Sequence, residues 1–426
     1  MKTKQLPIQF TSYQKIVLAL LAILQFTVVL DFMIIAPIGD ILIKSLDITT
    51  KQFGLVVSSY AFSAATSGII IAGFVDKFDR KKVLVFFFIG FIIGTLFCAL
   101  SNSYTTLLIA RIVTGIFGGV IGSITLTIVS DLFLANQRGR AMGMVQMAFA
   151  ASQILGIPFG LLIATKFDWH YTFFSIVILS LLILVVILWK LKPINAHLKV
   201  KSDKNPLVHL WHIIKNKNYR IGFFAIIFLG VGGFMLMPFT SIFLVNNVHI
   251  TNEQLPLVFM ITGLSTIIVM PIVGKLSDSF PKFNIFLFGT AVSIIMVLVY
   301  TNLSILPLWT VIVVNIIMFV GIMSRMVPSQ ALNTMVPHQA DRGAYMSVSS
   351  SLQQISGGIG TIVASMIVFQ KTPTSKLENF NIIGYVVVAL SILCAFLVYR
   401  VSVFAKSNVQ HHETPQPEEI MAISEA

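Results

Sequence analysis

Two charged residues lie deep within apolar stretches of this sequence, where a charge is costly and usually functional. Asp31 lies in the run VVLDFMIIAP and is the only acidic residue well inside an apolar stretch, and Arg111 lies in LLIARIVTGIFGG. Burial favours the neutral form of a carboxyl group, whereas a neighbouring guanidinium favours its charged form. Such a pair can be tuned to bind and release a proton. The alternative is a structural ion pair that only joins two helices.

A third buried charge, Arg325, lies in GIMSRMVPSQALNTMVP and has no obvious acidic partner in the C-terminal part of the chain. Its guanidinium could bind an anionic or polar molecule, pair with Asp31, or be satisfied by carbonyl groups and water near a helix break at Pro328. Single amides within apolar stretches are candidate hydrogen-bonding groups for a bound molecule, or ties between helices. They are Asn315, Gln146, Gln153, Gln353 and Gln354.

The elements that carry these residues are long apolar segments. The chain has 426 residues, of which 56% are hydrophobic and 11% charged, whereas a soluble domain has about 25% charged residues. Segments of about 20 apolar residues can cross the hydrocarbon core of a bilayer. The sequence therefore predicts an all-α polytopic membrane protein with twelve spans, at 16–38, 53–75, 83–100, 104–130, 141–165, 171–190, 220–245, 254–276, 283–301, 306–330, 343–369 and 380–403.

The two halves of the chain resemble each other. The dipeptide at Arg138 recurs at Arg342, 204 positions later, and Asp76 has a counterpart in Asp278, 202 positions later. Two six-span halves in the same orientation place a substrate site between them, near the middle of the membrane. We therefore divide the chain into an N-terminus (1–15), a first six-helix bundle (16–190), a linker (191–219), a second bundle (220–403) and a disordered tail (404–426).

The Lys and Arg residues are sorted between alternate loops. A net charge of +13 in a soluble protein would suggest nucleic-acid binding. Here 22 of the 29 lie on the side of the N-terminus and five on the opposite side, with Arg111 and Arg325 inside spans. Because short cytoplasmic loops are rich in Lys and Arg, we expect both termini and the linker in the cytoplasm, and no nucleic-acid partner. We expect a monomeric, multi-pass protein of a bacterial inner membrane.

Metal and enzyme chemistry have little support in this sequence. Cys98 and Cys394 both fall within spans and lack metal-ligand spacing. The eight His residues lie mainly in loops, the linker and the tail, so no His cluster or nucleophile motif is found within the spans. We expect no metal, no cofactor and no enzymatic activity.

The segment AGFVDKFDRKK, residues 72–82, resembles the signature loop of the major facilitator superfamily. Asp76, Arg80 and two lysines match that pattern, whereas Asp79 stands where the pattern has glycine; Asp tolerates the left-handed backbone better than most residues. The resemblance implies a cytoplasmic gate in which Asp76 faces the start of span 11 and Arg80 pairs with Asp131. The alternative is a basic loop that only sets the topology.

Two further resemblances concern coupling and direction. The setting of Asp31 resembles the span-1 motif of drug:proton antiporters, and that of Arg111 resembles the span-4 motif of the superfamily, an Arg followed by Gly four residues later. This resemblance implies that the pair couples proton movement to transport. The segment GIPFGLLIATKFDWHYTFF resembles the antiporter motif of sugar-efflux members, with Gly156, Pro158 and Gly160 in register. Ordinary close packing of helices would equally suit these small residues.

The resemblance covers nearly the whole chain and implies a major facilitator fold, with two pseudo-symmetric bundles of six helices. It implies a proton-coupled secondary transporter in the lipid bilayer that exports small organic compounds such as drugs or sugars by alternating access. The alternative on the same fold is a proton-coupled importer of a polar or anionic nutrient, such as a sugar, a carboxylate or a siderophore-like compound, held by Arg325.

Overall fold

A computed structural model describes residues 9–72, 77–195, 198, 213–338 and 341–413. Within these residues the chain is helical apart from loops and one isolated bridge between Phe369 and Glu378. The helices are α1 (Ser12–Ile34), α2 (Gly39–Leu46), α3 (Thr50–Ala72), α4 (Arg80–Ala99), α5 (Tyr104–Leu132), α6 (Ala135–Ala151), α7 (Ile157–Lys166), α8 (Trp169–Lys190), α9 (Lys217–Leu236), α10 (Thr240–Asn246), α11 (Leu255–Ser279), α12 (Lys282–Thr301), α13 (Leu308–Thr334), α14 (Arg342–Ile367) and α15 (Phe380–Glu413).

Eleven helical segments of the described chain are long and apolar enough to cross a membrane. A helix satisfies its own backbone hydrogen bonds, which lipid cannot do. The twelfth segment is α14, whose 26 residues suffice for a crossing, although its first half, RGAYMSVSSSLQQ, is rich in Ser and Gln. This helix packs against α3 and α9, and Ser349 and Ser356 are buried there, whereas Ser347, Ser350 and Gln353 are exposed. The all-α, twelve-span architecture is therefore confirmed.

Three crossing segments are interrupted where prolines lie nearby. The chain breaks between α1 and α2 at Pro37, and between α9 and α10 by a 3₁₀ turn, Met237–Phe239, that contains Pro238. A π turn, Ser152–Gly156, precedes α7 and its Pro158. Proline lacks an N–H and clashes with the preceding turn, so it ends or bends a helix. The first two breaks are 201 residues apart and thus equivalent in the two halves.

The two ends of the molecule are packed differently. We call the end where α1 begins and α8 ends the linker end, and the opposite one, with α2 and α10, the far end. At the far end a single apolar cluster combines Ile38 and Phe53 with Phe239 and Val258, which come from different halves. Toward the linker end each half has a cluster of its own. Among the described residues, the buried apolar clusters are thus shared at the far end and separate toward the linker end, while α3 and α14 stay in contact as far as Gly68 and Ser351.

The structure extends two helices beyond the predicted limits. Helix α15 continues to Glu413, into the predicted tail 404–426, because the first proline of that segment is Pro415. Helix α9 begins at Lys217, within the predicted linker 191–219, where the side chain of Asn216 caps it. Residues 414–426 and most of the linker lie outside the described residues, and the remaining domain limits stay predictions.

Candidate functional site

Asp31 and Arg111 form an ion pair in the interior of the first half. Nη1 of Arg111 lies 2.8 Å from Oδ2 of Asp31, and both side chains are completely buried. The same nitrogen also donates to the backbone carbonyl of Asp31 at 3.3 Å. The two residues are 80 positions apart, and the packing of α5 on α1 brings them together. The predicted pairing is therefore present in the structure; its role in coupling stays a prediction.

Two further helices complete the surroundings of this pair. Thr95 on α4 donates its hydroxyl to Oδ1 of Asp31 at 3.2 Å. The ring of Tyr60 on α3 covers the guanidinium of Arg111, with Cζ 4.6 Å from the ring centroid, a cation–π geometry. Nε and Nη2 of Arg111 are buried and have no hydrogen-bond partner among the described residues. The arginine thus depends on one carboxylate, one carbonyl and one aromatic ring.

Glycines on α5 allow this close approach. A Cβ atom at Gly115, one turn after Arg111, would lie 2.6 Å from the carbonyl oxygen of Tyr60, and one at Gly119 would lie 2.5 Å from Cα of Ala64. Only the absence of side chains lets the backbones of α3 and α5 touch at these positions. The glycine four residues after Arg111 therefore fixes Tyr60 over the guanidinium.

The second glycine motif packs on the helix that carries Asp31. A Cβ atom at Gly156 would lie 2.7 Å from Cδ1 of Leu30, and one at Gly160 would lie 2.8 Å from Cδ1 of Ile34. The hydroxyl of Ser152 donates to the backbone oxygen of Phe26 at 3.0 Å. The segment from the π turn to α7, with Pro158, therefore lies directly against α1 on both sides of Asp31 in sequence.

The six candidate substrate-binding residues differ in exposure and in their hydrogen bonds. Gln146 and Gln353 are exposed, whereas Gln153 and Gln354 are half-buried. Asn315 is buried and donates its amide to Val311 of its own helix. In the described part of the chain, no hydrogen bond joins any two of these amides. Their role in binding a substrate remains a prediction.

Arg325 lies within the second half, away from Asp31. Its Cζ is 5.9 Å from the ring centroid of Phe286 on α12, and its side chain is near Cys394 on α15. Nε of Arg325 is buried without a hydrogen-bond partner among the described residues. In this conformation Arg325 is therefore a half-buried cation between α12, α13 and α15, and its predicted contact with cargo is untested.

The loop before α4 contains part of the predicted gate. Nε of Arg80 lies 3.1 Å from Oδ2 of Asp131, at the linker end of α5. Asp79 is not in the left-handed conformation, since its φ is −57°; its side chain instead accepts from the backbone N–H of Lys82 and caps α4. Asp76 lies outside the described residues. The Arg80–Asp131 pair is thus present, and its function as a gate stays a prediction.

The sequence reasoning missed three residues at or near these sites. Tyr60 and Thr95 contact the buried pair, and Asp40 is a second buried carboxylate, at the far end. Asp40 falls between predicted spans, where a charged residue would ordinarily be solvated. The signal that could have revealed it is Pro37, since a proline at a span end indicates a break followed by a second helical piece.

Comparisons with known proteins give a consistent family assignment. The Major Facilitator Superfamily family profile matches residues 21–361 and 222–420. The uncharacterized MFS-type transporter YbcL of Bacillus subtilis (strain 168) is 23% identical, with 89% of this chain and 95% of that protein covered. The probable sugar efflux transporter of Helicobacter pylori (strain J99) is 23% identical, with 86% of this chain and 90% of that protein covered. Multidrug resistance protein 3 of B. subtilis is 32% identical over 36% of this chain and 30% of its own length.

Solved structures share the fold at low sequence identity. A bacterial homologue of the human lysosomal transporter Spinster, in an inward-facing and unoccupied conformation, superimposes with a TM-score of 0.71 at 16% identity, covering 94% of this chain and 99% of that one. A mutant of the nucleoside transporter NupG also superimposes with a TM-score of 0.71, at 15% identity, covering 91% of this chain and 99% of that one. These similarities establish the arrangement of the helices.

Proposed function

This chain belongs to the Major Facilitator Superfamily, and from that premise we propose that it is a proton-coupled secondary transporter that exports small organic compounds such as drugs or sugars by alternating access. The observation that carries this proposal is the completely buried ion pair between Asp31 and Arg111. Two charges removed from water are costly. A chain retains them inside a membrane span chiefly where they serve a function.

The geometry of the pair suits a carboxyl group that gains and loses a proton. When Asp31 is protonated it loses its charge, and Arg111 keeps the backbone carbonyl of Asp31 and the ring of Tyr60 as partners. Two of the three guanidinium nitrogens are free among the described residues and can be solvated by water that enters with the proton. Protonation therefore weakens the interaction between α1 and α5, while Arg111 keeps other interaction partners.

Alternating access requires halves that can separate at one end while closing at the other. In the described residues the halves share an apolar cluster at the far end and have separate clusters toward the linker end. The distribution of Lys and Arg favours a cytoplasmic linker end. The conformation then corresponds to one closed on the outer side of the membrane. Both termini lie on the cytoplasmic side of a bacterial inner membrane, and one chain forms the transporter.

One observation favours export, and a second concerns its coupling to protons. The relatives include proteins named as a probable sugar efflux transporter and a multidrug resistance protein. The segment with Gly156, Pro158 and Gly160 packs on α1 beside Asp31, so a movement of α7 against α1 would reach the coupling carboxylate. Proton entry from the outside would then accompany cargo release to the outside.

The second candidate is a proton-coupled importer of a polar or anionic nutrient. It is favoured by the buried Nε of Arg325, which has no partner among the described residues, and by the shared fold with a protein named as a nucleoside transporter. Its weakness is the position of Arg325 beside Phe286 and Cys394, away from the first half.

The test uses purified protein in liposomes that contain a pH-sensitive dye. Exchange of labelled cargo across the membrane is first measured for ethidium, arabinose, uridine and citrate, and identifies a transported compound. Imposed pH gradients of either sign then show whether transport of that compound is coupled to protons and in which direction it runs. Asp31→Asn should retain exchange but lose gradient-driven accumulation. Asp47→Asn is the matched control, because Asp47 is exposed and has a left-handed φ that Asn also adopts. Full proton-driven transport by Asp31→Asn would refute the coupling role.

A further inference from the structure

A second buried carboxylate joins the two halves at the far end. Asp40 on α2 is 1% exposed. Its Oδ1 accepts a hydrogen bond of 2.6 Å from the amide of Asn246 on α10, and its Oδ2 accepts one of 3.2 Å from the amide of Asn252. Lys44, one turn later on α2, is 2.9 Å from the same Oδ2. One carboxylate of the first half therefore holds two amides of the second half.

The donors are arranged for this carboxylate. Asn246 also donates to the carbonyl of Ile242 in its own helix at 3.0 Å, which fixes its side chain in one orientation. A carboxylate only accepts hydrogen bonds and an amide nitrogen only donates them, so Asn246 is the donor and Asp40 the acceptor. Hydrogen bonds to a charged acceptor are about twice as strong as neutral ones. Both oxygens of Asp40 therefore serve as acceptors for donors of the second half.

The helix breaks place Asp40 at the interface. Because α1 ends before Pro37, the carbonyl of Ala36 is open to the hydroxyl of Ser241, which donates to it at 2.8 Å from the second half. Gly39, next to Asp40, lies so close to Phe53 that a Cβ atom there would be 2.7 Å from Cζ of the ring. The break thus brings α2 across the interface, with Asp40 directed at α10.

Further contacts between the halves surround this carboxylate. The hydroxyl of Thr50 donates to the carbonyl of Val368 at 3.2 Å, and the ring centroids of Phe53 and Phe239 are 6.1 Å apart. In the part of the far end that the structure describes, Asp40 is the one charged side chain that hydrogen-bonds across the interface. When the far end opens, Thr50 loses a neutral hydrogen bond. Asp40 loses its buried hydrogen bonds from Asn246 and Asn252 and is hydrated instead.

We propose that Asp40 is a latch that stabilises the conformation closed at the far end, and that its removal shifts the transporter toward the conformation open at the far end. The proposal rests on the alternating access described under the proposed function, and on neither the direction of transport nor its coupling to protons. A hydrogen bond to a charged group contributes more to stability than a neutral one. Loss of the latch should therefore raise the ratio of far-end-open to far-end-closed molecules by about tenfold or more.

The experiment measures distances between spin labels in protein held in lipid nanodiscs, in a background with Cys98→Ala and Cys394→Ala. Labels at Lys51 and Lys376, both exposed, report on the far end. Labels at Lys82 and Lys275, both exposed at the linker end, report on the opposite side. Asp40→Asn should increase the long-distance population of the first pair and decrease that of the second, because a rocking motion opens one end as it closes the other.

Matched variants separate the latch from a general loosening of the structure. Asp47→Asn makes the same chemical change at an exposed site of the far end and should leave both distributions unchanged.

Asn246→Ala removes the strongest donor without touching the charge, and decides the matter if Asp40→Asn does not fold. Parental distributions in both Asp40→Asn and Asn246→Ala would overturn the latch. Because the distances are measured without cargo or a pH gradient, a shift in Asp40→Asn would stand even if Asp31→Asn kept full proton coupling, and that result would count only against the proposed function.

Discussion

The contact between α3 and α5 offers the sharpest test of how the buried pair is held. A Cβ atom at Gly115 would lie 2.6 Å from the carbonyl oxygen of Tyr60 and 3.0 Å from its Cα. Both atoms belong to the backbone, so neither can rotate away. An ordinary contact needs about 3.4 Å, so Gly115→Ala must move one helix by about 0.8 Å. Such overpacking costs about 1–3 kcal/mol.

The matched control is Gly122→Ala on the same helix. A Cβ atom at Gly122 meets only Nε2 of Gln25, at 3.9 Å, which is an ordinary contact. Replacing a helical glycine by alanine stabilises a helix by about 1 kcal/mol, and this gain is common to both variants. Gly115→Ala should therefore be less stable than Gly122→Ala by about 1–3 kcal/mol.

Unfolding of purified protein in detergent, followed by tryptophan fluorescence, measures this difference. The shift moves Tyr60 away from Arg111. In Gly115→Ala, proton-driven transport of cargo should therefore fall by a larger factor than cargo exchange across the membrane. Gly122→Ala should keep both activities. Equal stability of the two variants would refute the inference that backbone contact at Gly115 positions Tyr60.

Three further outcomes are expected. Tyr60→Leu should lower proton-driven transport in liposomes more than exchange, because Arg111 loses an aromatic face worth about 0.5–2 kcal/mol, while Tyr60→Phe keeps the ring and should be near the parent. Asp131→Asn breaks the linker-end ion pair, whose acid is partly exposed, and should lower the free energy of unfolding by less than about 1 kcal/mol. Gly54→Ala places a methyl group against Ser365 of the other half and should lengthen far-end spin-label distances; an unchanged distribution would contradict the close packing there.

The buried pair could be predicted from the sequence because a charged side chain is costly in lipid. A charge within a span needs a partner, and Asp31 was the only acidic residue available to Arg111. Eleven of the twelve spans follow from length and hydropathy in the same way. Both inferences depend on properties of single segments, which the sequence contains in full.

The predictions that depend on how a helix is rotated were less secure. Each residue turns the side-chain direction by about 100°, so the sequence alone does not determine that Arg325 would lie beside Phe286 and Cys394. The partners of Asp40 are 206 and 212 positions away, and no local pattern relates them. Asp79 was expected to replace a glycine in a turn and instead caps a helix, because Asp at an N-cap satisfies a free backbone N–H.

The polar composition of α14 has a consequence for how the protein is made. A segment with so many Ser and Gln residues gains little from insertion into lipid by itself, whereas its neighbours α3 and α9 insert readily. Both neighbours precede it in the chain, and α3 belongs to the other half. During biosynthesis the first half is therefore already in the membrane when α14 emerges, and it supplies a protein surface against which α14 can settle. The second half expressed alone should insert α14 inefficiently, and co-expression with the first half should restore its crossing of the bilayer.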